Sequence, residues 1–151
     1  MVVLARDDTS GSAWDFLVPH NVARAQLGIP PLIWDLSLVG YAQWYAHVRK
    51  EDCLLEHSNY RSVHFGENVF QGDRGYAWTA EDAVNDWINE VRFYNYFSNT
   101  CIDGKDCGHY TQVMWRQTMR VGCARVECYN GGVFITCNYS PPGNIDGQRP
   151  Y

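Results

Sequence analysis

The sequence predicts an α+β domain in which helices cover a small antiparallel sheet. Apolar residues recur at helical spacing through roughly the first 90 residues, and Val, Ile, Phe and Thr become dense after residue 120. Helices followed by a hairpin are typical of this fold class. A chain of 151 residues fits one domain. We expect that domain to span residues 14–151, after a flexible segment at residues 1–13.

Residues 12–27 form the first predicted helical segment. Pro19 interrupts this segment, and because proline suits a first helical turn and not an interior, we expect the main helix to begin there. A second helix is predicted over residues 36–50, where Asp35 or Ser37 can cap its start.

A third helix and a hairpin complete the predicted elements. The helix covers residues 79–90, and the pairing of Thr79 with Asp82 resembles a capping box. Residues 121–128 and 132–139 have strand composition, and a Tyr-Asn-Gly-Gly turn signal separates them. These two segments are therefore expected to pair as antiparallel strands.

The cysteines indicate an oxidising compartment. Their number is even and no two form a Cys-x-x-Cys pair, which favours disulfides over a zinc ribbon or a redox motif. They are Cys53, Cys101, Cys107, Cys123, Cys128 and Cys137. The apolar run at residues 1–5 is far shorter than a signal-peptide core, so we expect a mature form whose signal peptide has been removed.

Net charge and hydropathy limit the classes of binding partner that we expect. The formal net charge is -5, which argues against nucleic acid and anionic lipid surfaces as electrostatic partners. No stretch approaches the roughly 20 apolar residues of a membrane span. We expect a monomer without a transmembrane segment.

Two long motifs resemble the signatures of a known family. Residues 108–118 read Gly-His-Tyr-Thr-Gln-Val-Met-Trp-Arg-Gln-Thr, and residues 134–145 read Phe-Ile-Thr-Cys-Asn-Tyr-Ser-Pro-Pro-Gly-Asn-Ile. Together with a His-Asn pair at residues 20–21 and Gly-Glu-Asn at residues 66–68, they resemble the plant pathogenesis-related class-one branch of the CAP superfamily. The resemblance covers all but about the first dozen residues.

The resemblance implies a fold and a biological role. The family fold is a three-layer α-β-α sandwich. The family pairing joins Cys53 to Cys128, Cys101 to Cys107 and Cys123 to Cys137, a pairing that the residues alone leave open. The implied role is a secreted, non-enzymatic defence protein with antimicrobial action, located in the apoplast or the vacuole.

Four residues match the central cleft of the family: His57, Glu67, Glu90 and His109. A carboxylate at Glu90 opposes the dipole at a helix C-terminus, so it is expected to have a local partner. Three readings stay open for the four residues: a Zn²⁺ site, a buried hydrogen-bond network, or a zinc-dependent hydrolase. No cofactor is required by the resemblance. Ser58 is the one hydroxyl nominated beside the cluster, but no nucleophile-elbow motif surrounds it.

The segment after the third predicted helix is rich in aromatic residues: Phe93, Tyr94, Tyr96 and Phe97. It is similar to the caveolin-binding-like loop implicated in sterol binding in the family. These rings are therefore candidates for binding a sterol or another lipid. The alternative is that they seal the core over the loop from Cys101 to Cys107.

Residues 141–151 are rich in Pro, Gly and Asn and are expected to form an extended tail. They resemble the defence-signalling peptide released from the C-terminus in plant class-one members, for which a receptor would be the partner. The matching residues are Pro141, Pro142, Gly143, Asn144, Gln148, Arg149, Pro150 and Tyr151. A tail beyond the last cysteine is expected to be cleavable without unfolding the core. On this second hypothesis the domain is a scaffold for the peptide.

Overall fold

The computed structural model of the chain describes residues 12–151. The predicted flexible segment therefore lies, up to residue 11, outside the described residues. The helices and strands are α1 (Ala13–Gln26), β1 (Ile33–Trp34), α2 (Leu36–Arg49), β2 (Gly66–Gly72), α3 (Ala80–Asn89), β3 (Tyr94–Asn95), β4 (Thr100–Cys101), α4 (Gly108–Val113), β5 (Arg120–Glu127) and β6 (Val133–Ser140). Short 3₁₀ turns cover Tyr60–Val63 and Glu90–Phe93.

The main sheet has the strand order β1-β5-β6-β2. The predicted hairpin of β5 and β6 is confirmed, and β2 adds a third antiparallel strand against β6. At the other edge the short strand β1 pairs with β5 in parallel, a connection that the sequence did not predict. The pairing arises because Ile33 and Asp35 donate backbone hydrogen bonds to the carbonyls of Met119 and Val121.

Helices cover both faces of this sheet, so the three-layer α-β-α sandwich is confirmed. Alternate residues of β5 and β6 point to opposite faces, as strand geometry requires. Val121, Cys123, Val133, Ile135 and Cys137 pack in one core with α1, α3 and α4. Ala124, Val126 and Phe134 pack in a second core with α2. At Gly122 a Cβ atom would lie only 2.3 Å from the backbone of Val39, so the glycine permits α2 to approach β5 closely.

Helix α1 begins earlier than predicted. Ser12 and Asp15 form a capping box, in which Asp15 Oδ2 accepts a hydrogen bond from the Ser12 amide at 3.2 Å. The prediction that the main helix begins at Pro19 was wrong, because Phe16 and His20 are both buried and hold the chain helical on either side of the proline. Pro19 removes only one intrahelical hydrogen bond, which this burial offsets.

The other two predicted helices are confirmed. Asp35 caps α2, because its carboxylate accepts hydrogen bonds from the amides of Ser37 and Leu38. Thr79 and Asp82 form the expected capping box of α3.

All three disulfides form with the pairing that the resemblance implied. Cys123 and Cys137 are directly paired neighbours of β5 and β6. The Cys53–Cys128 bond joins the chain after α2 to the end of β5, and the Cys101–Cys107 bond joins β4 to the start of α4. The last of these bonds places a two-stranded hairpin, β3 with β4, beside the cleft described below.

Candidate functional site

The two predicted cleft histidines lie side by side. The rings of His57, in the loop before β2, and His109, in α4, have centroids 6.4 Å apart and are nearly parallel at 13°. Each ring is hydrogen-bonded to one of the two predicted glutamates, Glu67 or Glu90. The fold thus brings together four residues that are far apart in the sequence.

The first pair is centred on Glu67 in β2. Its carboxylate accepts a hydrogen bond from Nδ1 of His57 at 3.0 Å, and further ones from the Ser58 amide at 2.8 Å, the Ser58 hydroxyl and Nδ2 of Asn138 at 3.0 Å. The side chain of Glu67 is fully buried. A buried carboxylate is stable only when it is well supplied with donors, and this one is.

The second pair is centred on Glu90, just after α3. Its carboxylate accepts hydrogen bonds from Nδ1 of His109 at 2.8 Å and from the Tyr110 amide at 3.0 Å. These two donors lie at the start of α4, and they are the local partner that the position of Glu90 at a helix end requires. The other face of the His109 ring stacks on Trp87, with centroids 6.3 Å apart.

Asp106 joins this second pair and was not predicted from the sequence. Its Oδ2 lies 3.8 Å from Nδ1 of His109, and one ligand atom from each of Glu90, Asp106 and His109 can be chosen so that all three lie within 4.8 Å of one another. The only sequence signal for it is an acidic residue three positions before a candidate histidine.

The carboxylates alter the protonation of His109. Burial lowers the pKa of the imidazole, but the hydrogen bond and charge of Glu90, with the charges of Asp106 and Asp86, outweigh burial and raise it above its ordinary value. The pKa of Asp86 is itself raised, first by burial and then by the charge of Glu90. Negative charge is therefore concentrated around this one ring.

The donor set fits a divalent cation. Because Nδ1 of each histidine donates to a glutamate, Nε2 carries the free lone pair when the ring is neutral, the arrangement found behind many zinc ligands. A second set is the cluster of Glu90, Asp106 and His109. Imidazole and carboxylate are both ligands that Zn²⁺ accepts.

Ser58 is not arranged as a nucleophile. Its hydroxyl donates to Glu67 and is hydrogen-bonded to the Tyr41 hydroxyl at 3.0 Å. Among residues 12–151 no hydrogen bond links this hydroxyl to a histidine, which is the contact that activates a catalytic serine.

The predicted aromatic segment forms a 3₁₀ turn followed by the β3–β4 hairpin, and we call residues 93–101 the aromatic hairpin. Tyr94 is half-buried against the core, whereas Phe97 is 91% exposed and Tyr96 is 40% exposed. Phe93 is half-buried and lies beneath the charged ends of Arg92 and Lys105. The four rings therefore do not form one flat surface, because Tyr94 faces inward and Phe97 outward.

The tail packs along α4. The Pro141 carbonyl accepts a hydrogen bond from the Thr118 hydroxyl at 2.8 Å, and the Gly143 amide donates to Gln112 at 3.0 Å. The Asn144 side chain is hydrogen-bonded to Thr111 and to the Gly108 carbonyl. Pro142 is half-buried, and residues 148–151 cross the aromatic hairpin.

An apolar groove between α1 and α3 was not predicted. It encloses about 780 Å³ and includes Trp14, Val18 and Val22 of α1, with Trp78 and Ile88 opposite. Its lining also includes three charged side chains: Asp15, Glu81 and Arg125. The three residues of α1 are 72%, 51% and 55% exposed. Single exposed apolar residues on a helix carry no signal in the sequence, so the groove is visible only after α3 has packed beside α1.

Comparison with known proteins gives a consistent picture. The cysteine-rich secretory protein family (CAP) matches residues 17–139. The pathogenesis-related protein PR-1 of Medicago truncatula is 55% identical over 137 residues, covering 90% of this chain and 77% of that protein. Pathogenesis-related protein 1B of Nicotiana tabacum is 47% identical over 151 residues, covering 100% of this chain and 88% of its own.

Solved structures share the fold at lower identity. A crystal structure of NaASP2 with Zn²⁺ has a TM-score of 0.77 at 24% identity, covering 97% of this chain and 88% of that one. The venom allergen-like protein 4 of Schistosoma mansoni has a TM-score of 0.73 at 26% identity, covering 93% and 95%.

Proposed function

Because this chain belongs to the cysteine-rich secretory protein (CAP) family, and within it to the plant pathogenesis-related protein 1 group, we propose that it is a secreted defence protein that acts on microbes by sequestering a sterol or a related lipid. Three disulfides support an oxidising destination, the apoplast or alternatively the vacuole. Within residues 12–151 no helix has the length and apolar character needed to cross a membrane. The proposal needs no catalytic step.

The observation that carries lipid binding is the apolar groove between α1 and α3. Its volume of about 780 Å³ falls in the range of pockets that bury small apolar ligands. Val18 and Val22 offer branched aliphatic contacts, and Trp14 and Trp78 offer flat rings that suit a fused-ring lipid. The aromatic hairpin is the second candidate site for lipid binding, and the ring it exposes most is that of Phe97 at its tip.

Sterol binding with matched variants tests this proposal. We expect saturable binding of a fluorescent sterol to the oxidised chain, weakened about tenfold by Val22→Asp, since a carboxylate in the groove must be desolvated. Val48→Asp is the control, because Val48 is a similarly exposed valine on α2, outside the groove. The change in sterol affinity caused by Phe97→Ala measures how much the aromatic hairpin contributes to binding. Absence of saturable binding, or equal loss in both valine variants, would overturn the groove as a lipid site.

A scaffold for a C-terminal signalling peptide is the second candidate. The observation in its favour is that residues 141–151 follow the last disulfide and lie outside the sheet. A synthetic peptide of residues 141–151 should then evoke the defence output of the whole protein through a receptor. A response to the whole protein without any response to the peptide would exclude this function.

Zinc binding is a separate proposal. His57, His109, Glu67 and Glu90, or the set that includes Asp106, would hold the ion, and a bound Zn²⁺ would supply Lewis acidity. The four hydrogen bonds to Glu67 support a structural network as well, since that carboxylate is satisfied without an ion. A zinc-dependent hydrolase would require turnover in addition, so binding without turnover restricts the ion to a structural or regulatory role.

A further inference from the structure

Tyr151 in the tail stacks on the aromatic hairpin. The ring of Tyr151 lies parallel to that of Tyr96, with centroids 5.3 Å apart and 12° between the planes. The hydroxyls of Tyr151 and Tyr110 are hydrogen-bonded at 2.8 Å. Tyr151 therefore inserts between the hairpin and α4, with both its face and its polar end occupied.

Arg149 holds the tip of the same hairpin. Its Nε donates to the Tyr96 carbonyl at 3.0 Å and its Nη2 donates to the Phe97 carbonyl at 2.8 Å. The guanidinium carbon lies 5.5 Å from the Tyr96 ring centroid. A planar fork that both binds two carbonyls and covers an aromatic ring is specific to arginine, because lysine offers a point charge only.

The backbone of the tail is held by hydrogen bonds on either side of Arg149. Nδ2 of Asn99 donates to the Gln148 carbonyl at 3.0 Å, and the Arg116 amide donates to the Pro150 carbonyl at 2.8 Å. Pro150 is buried although Gln148 and Arg149 are exposed. Each of the last four residues thus has a defined partner, as in a peptide bound to a receptor surface.

The segment that connects these four residues to the rest of the chain is less closely packed than they are. Residues 145–147 are exposed, and a space of about 190 Å³ remains between residues 144–150 and the hairpin and α4. The tail thus spans this space instead of filling it. The buried residues of both core clusters come from other segments, and Tyr151 packs against the first cluster only as a partly buried ring.

We propose that the aromatic hairpin and α4 form a peptide-binding site that recognises the sequence Gln-Arg-Pro-Tyr, and that the chain's own tail occupies this site as a reversible latch. The ligand class is a short peptide that carries arginine, proline and tyrosine in that order. The site shares no residue with the groove between α1 and α3. A tail from a second copy, or a free peptide, can compete for it when the chain's own tail is absent or displaced.

Binding in trans tests the site directly. A chain ending at Gly147 is titrated with a peptide of residues 145–151, followed by amide shifts of Tyr96, Tyr110 and Arg116. Because a short tether gives an effective concentration on the order of millimolar, a dissociation constant up to about 1 mM suffices for the latch to close. We expect saturation in that range, with affinity lowered about tenfold by Arg149→Ala or Tyr151→Ala in the peptide. Tyr151→Phe, which loses only the bond to Tyr110, should bind more weakly than the native peptide and more tightly than Tyr151→Ala.

Absence of shifts at about 1 mM, or equal affinity for the native and both alanine peptides, would overturn the site. The intact chain gives a second measurement that does not depend on the truncated one folding. Hydrogen exchange of the Arg116 amide should accelerate several-fold in Tyr151→Ala and stay unchanged in Ile145→Ala, a variant in the exposed part of the tail. An exchange rate at Arg116 that is the same in all three chains would also overturn the latch.

Discussion

The carboxylate of Glu90 accepts a hydrogen bond from Nδ1 of His109 at 2.8 Å, and this contact joins the end of α3 to the start of α4. It fixes the orientation of the imidazole and leaves Nε2 available to the cleft. The same carboxylate also accepts a hydrogen bond from the Tyr110 amide. The Glu90 side chain therefore both positions the His109 ring and satisfies a backbone donor of α4.

Loss of this carboxylate should destabilise the protein in a pH-dependent way. The pKa of folded His109 is raised above the unfolded value near 6.5, so its stabilising contribution is complete below that value and is lost as pH rises through the folded pKa. Glu90→Gln should therefore lower the free energy of unfolding by about 1.5–3 kcal/mol near pH 5.5 and by less at pH 9. Denaturant unfolding at both pH values measures this, with the exposed Glu51→Gln as control. An equal loss at both pH values would contradict the assigned pKa direction.

The cleft could be anticipated only in part from the sequence. His57, Glu67, Glu90 and His109 were found through resemblance to a family, because no local spacing connects them. The fold brings them into two hydrogen-bonded pairs. Asp106 was missed because a loop carboxylate close to a histidine is common and carries no signal until α4 and α3 are placed together.

Local patterns also explain which elements were missed. Strand β2 is almost wholly buried on both faces yet contains Glu67 and Asn68, so it shows neither alternation nor an apolar run. Helix α4 has six residues, too few for a helical period to be recognised. Pro19 misled the prediction of α1 because burial of the neighbouring turns outweighs the local preference of proline. Each miss is a case in which tertiary contacts override a local rule.

Zinc affinity should distinguish the two ligand sets. Because Glu90, Asp106 and His109 lie within 4.8 Å of one another, we expect Asp106→Asn to lower Zn²⁺ affinity about tenfold or more and His57→Ala to lower it less. Calorimetry with both variants and with Asp103→Asn, an exposed aspartate in the same loop, measures this. A large effect of His57→Ala with none of Asp106→Asn would instead assign the ion to the two Nε2 atoms. A heat of Zn²⁺ binding that is unchanged in His109→Ala would exclude both ligand sets.

Removal of the disulfides should cost stability in the order of loop length. In the chain-entropy account, opening the Cys53–Cys128 bond, whose cysteines are separated by 75 positions in the sequence, costs about 4–5 kcal/mol, and opening the Cys101–Cys107 bond costs about 2 kcal/mol. Thermal unfolding of the two double Cys→Ser variants measures both. The short-loop variant should also weaken the latch, since that bond anchors the aromatic hairpin to α4. A greater loss of stability in the short-loop variant would contradict the entropic account.

Proteolysis of the folded chain should begin within residues 145–147 and not at the start of the tail. Ser140 still pairs with β5, and its carbonyl accepts a hydrogen bond from the Met119 amide at 3.0 Å. The Pro141 carbonyl accepts a hydrogen bond from the Thr118 hydroxyl. Since a protease needs an accessible segment, cutting before Pro141 requires local opening where the paired strands β5 and β6 end, whereas residues 145–147 lie in an exposed turn. Thr118→Val removes the hydrogen bond to Pro141 and the one that the hydroxyl accepts from Gln112, with little change in shape. It should therefore accelerate release of residues 141–151 while leaving the first cut unchanged. Mass spectrometry of timed digests measures both rates, and release of the whole tail before any cut within residues 145–147 would contradict this order.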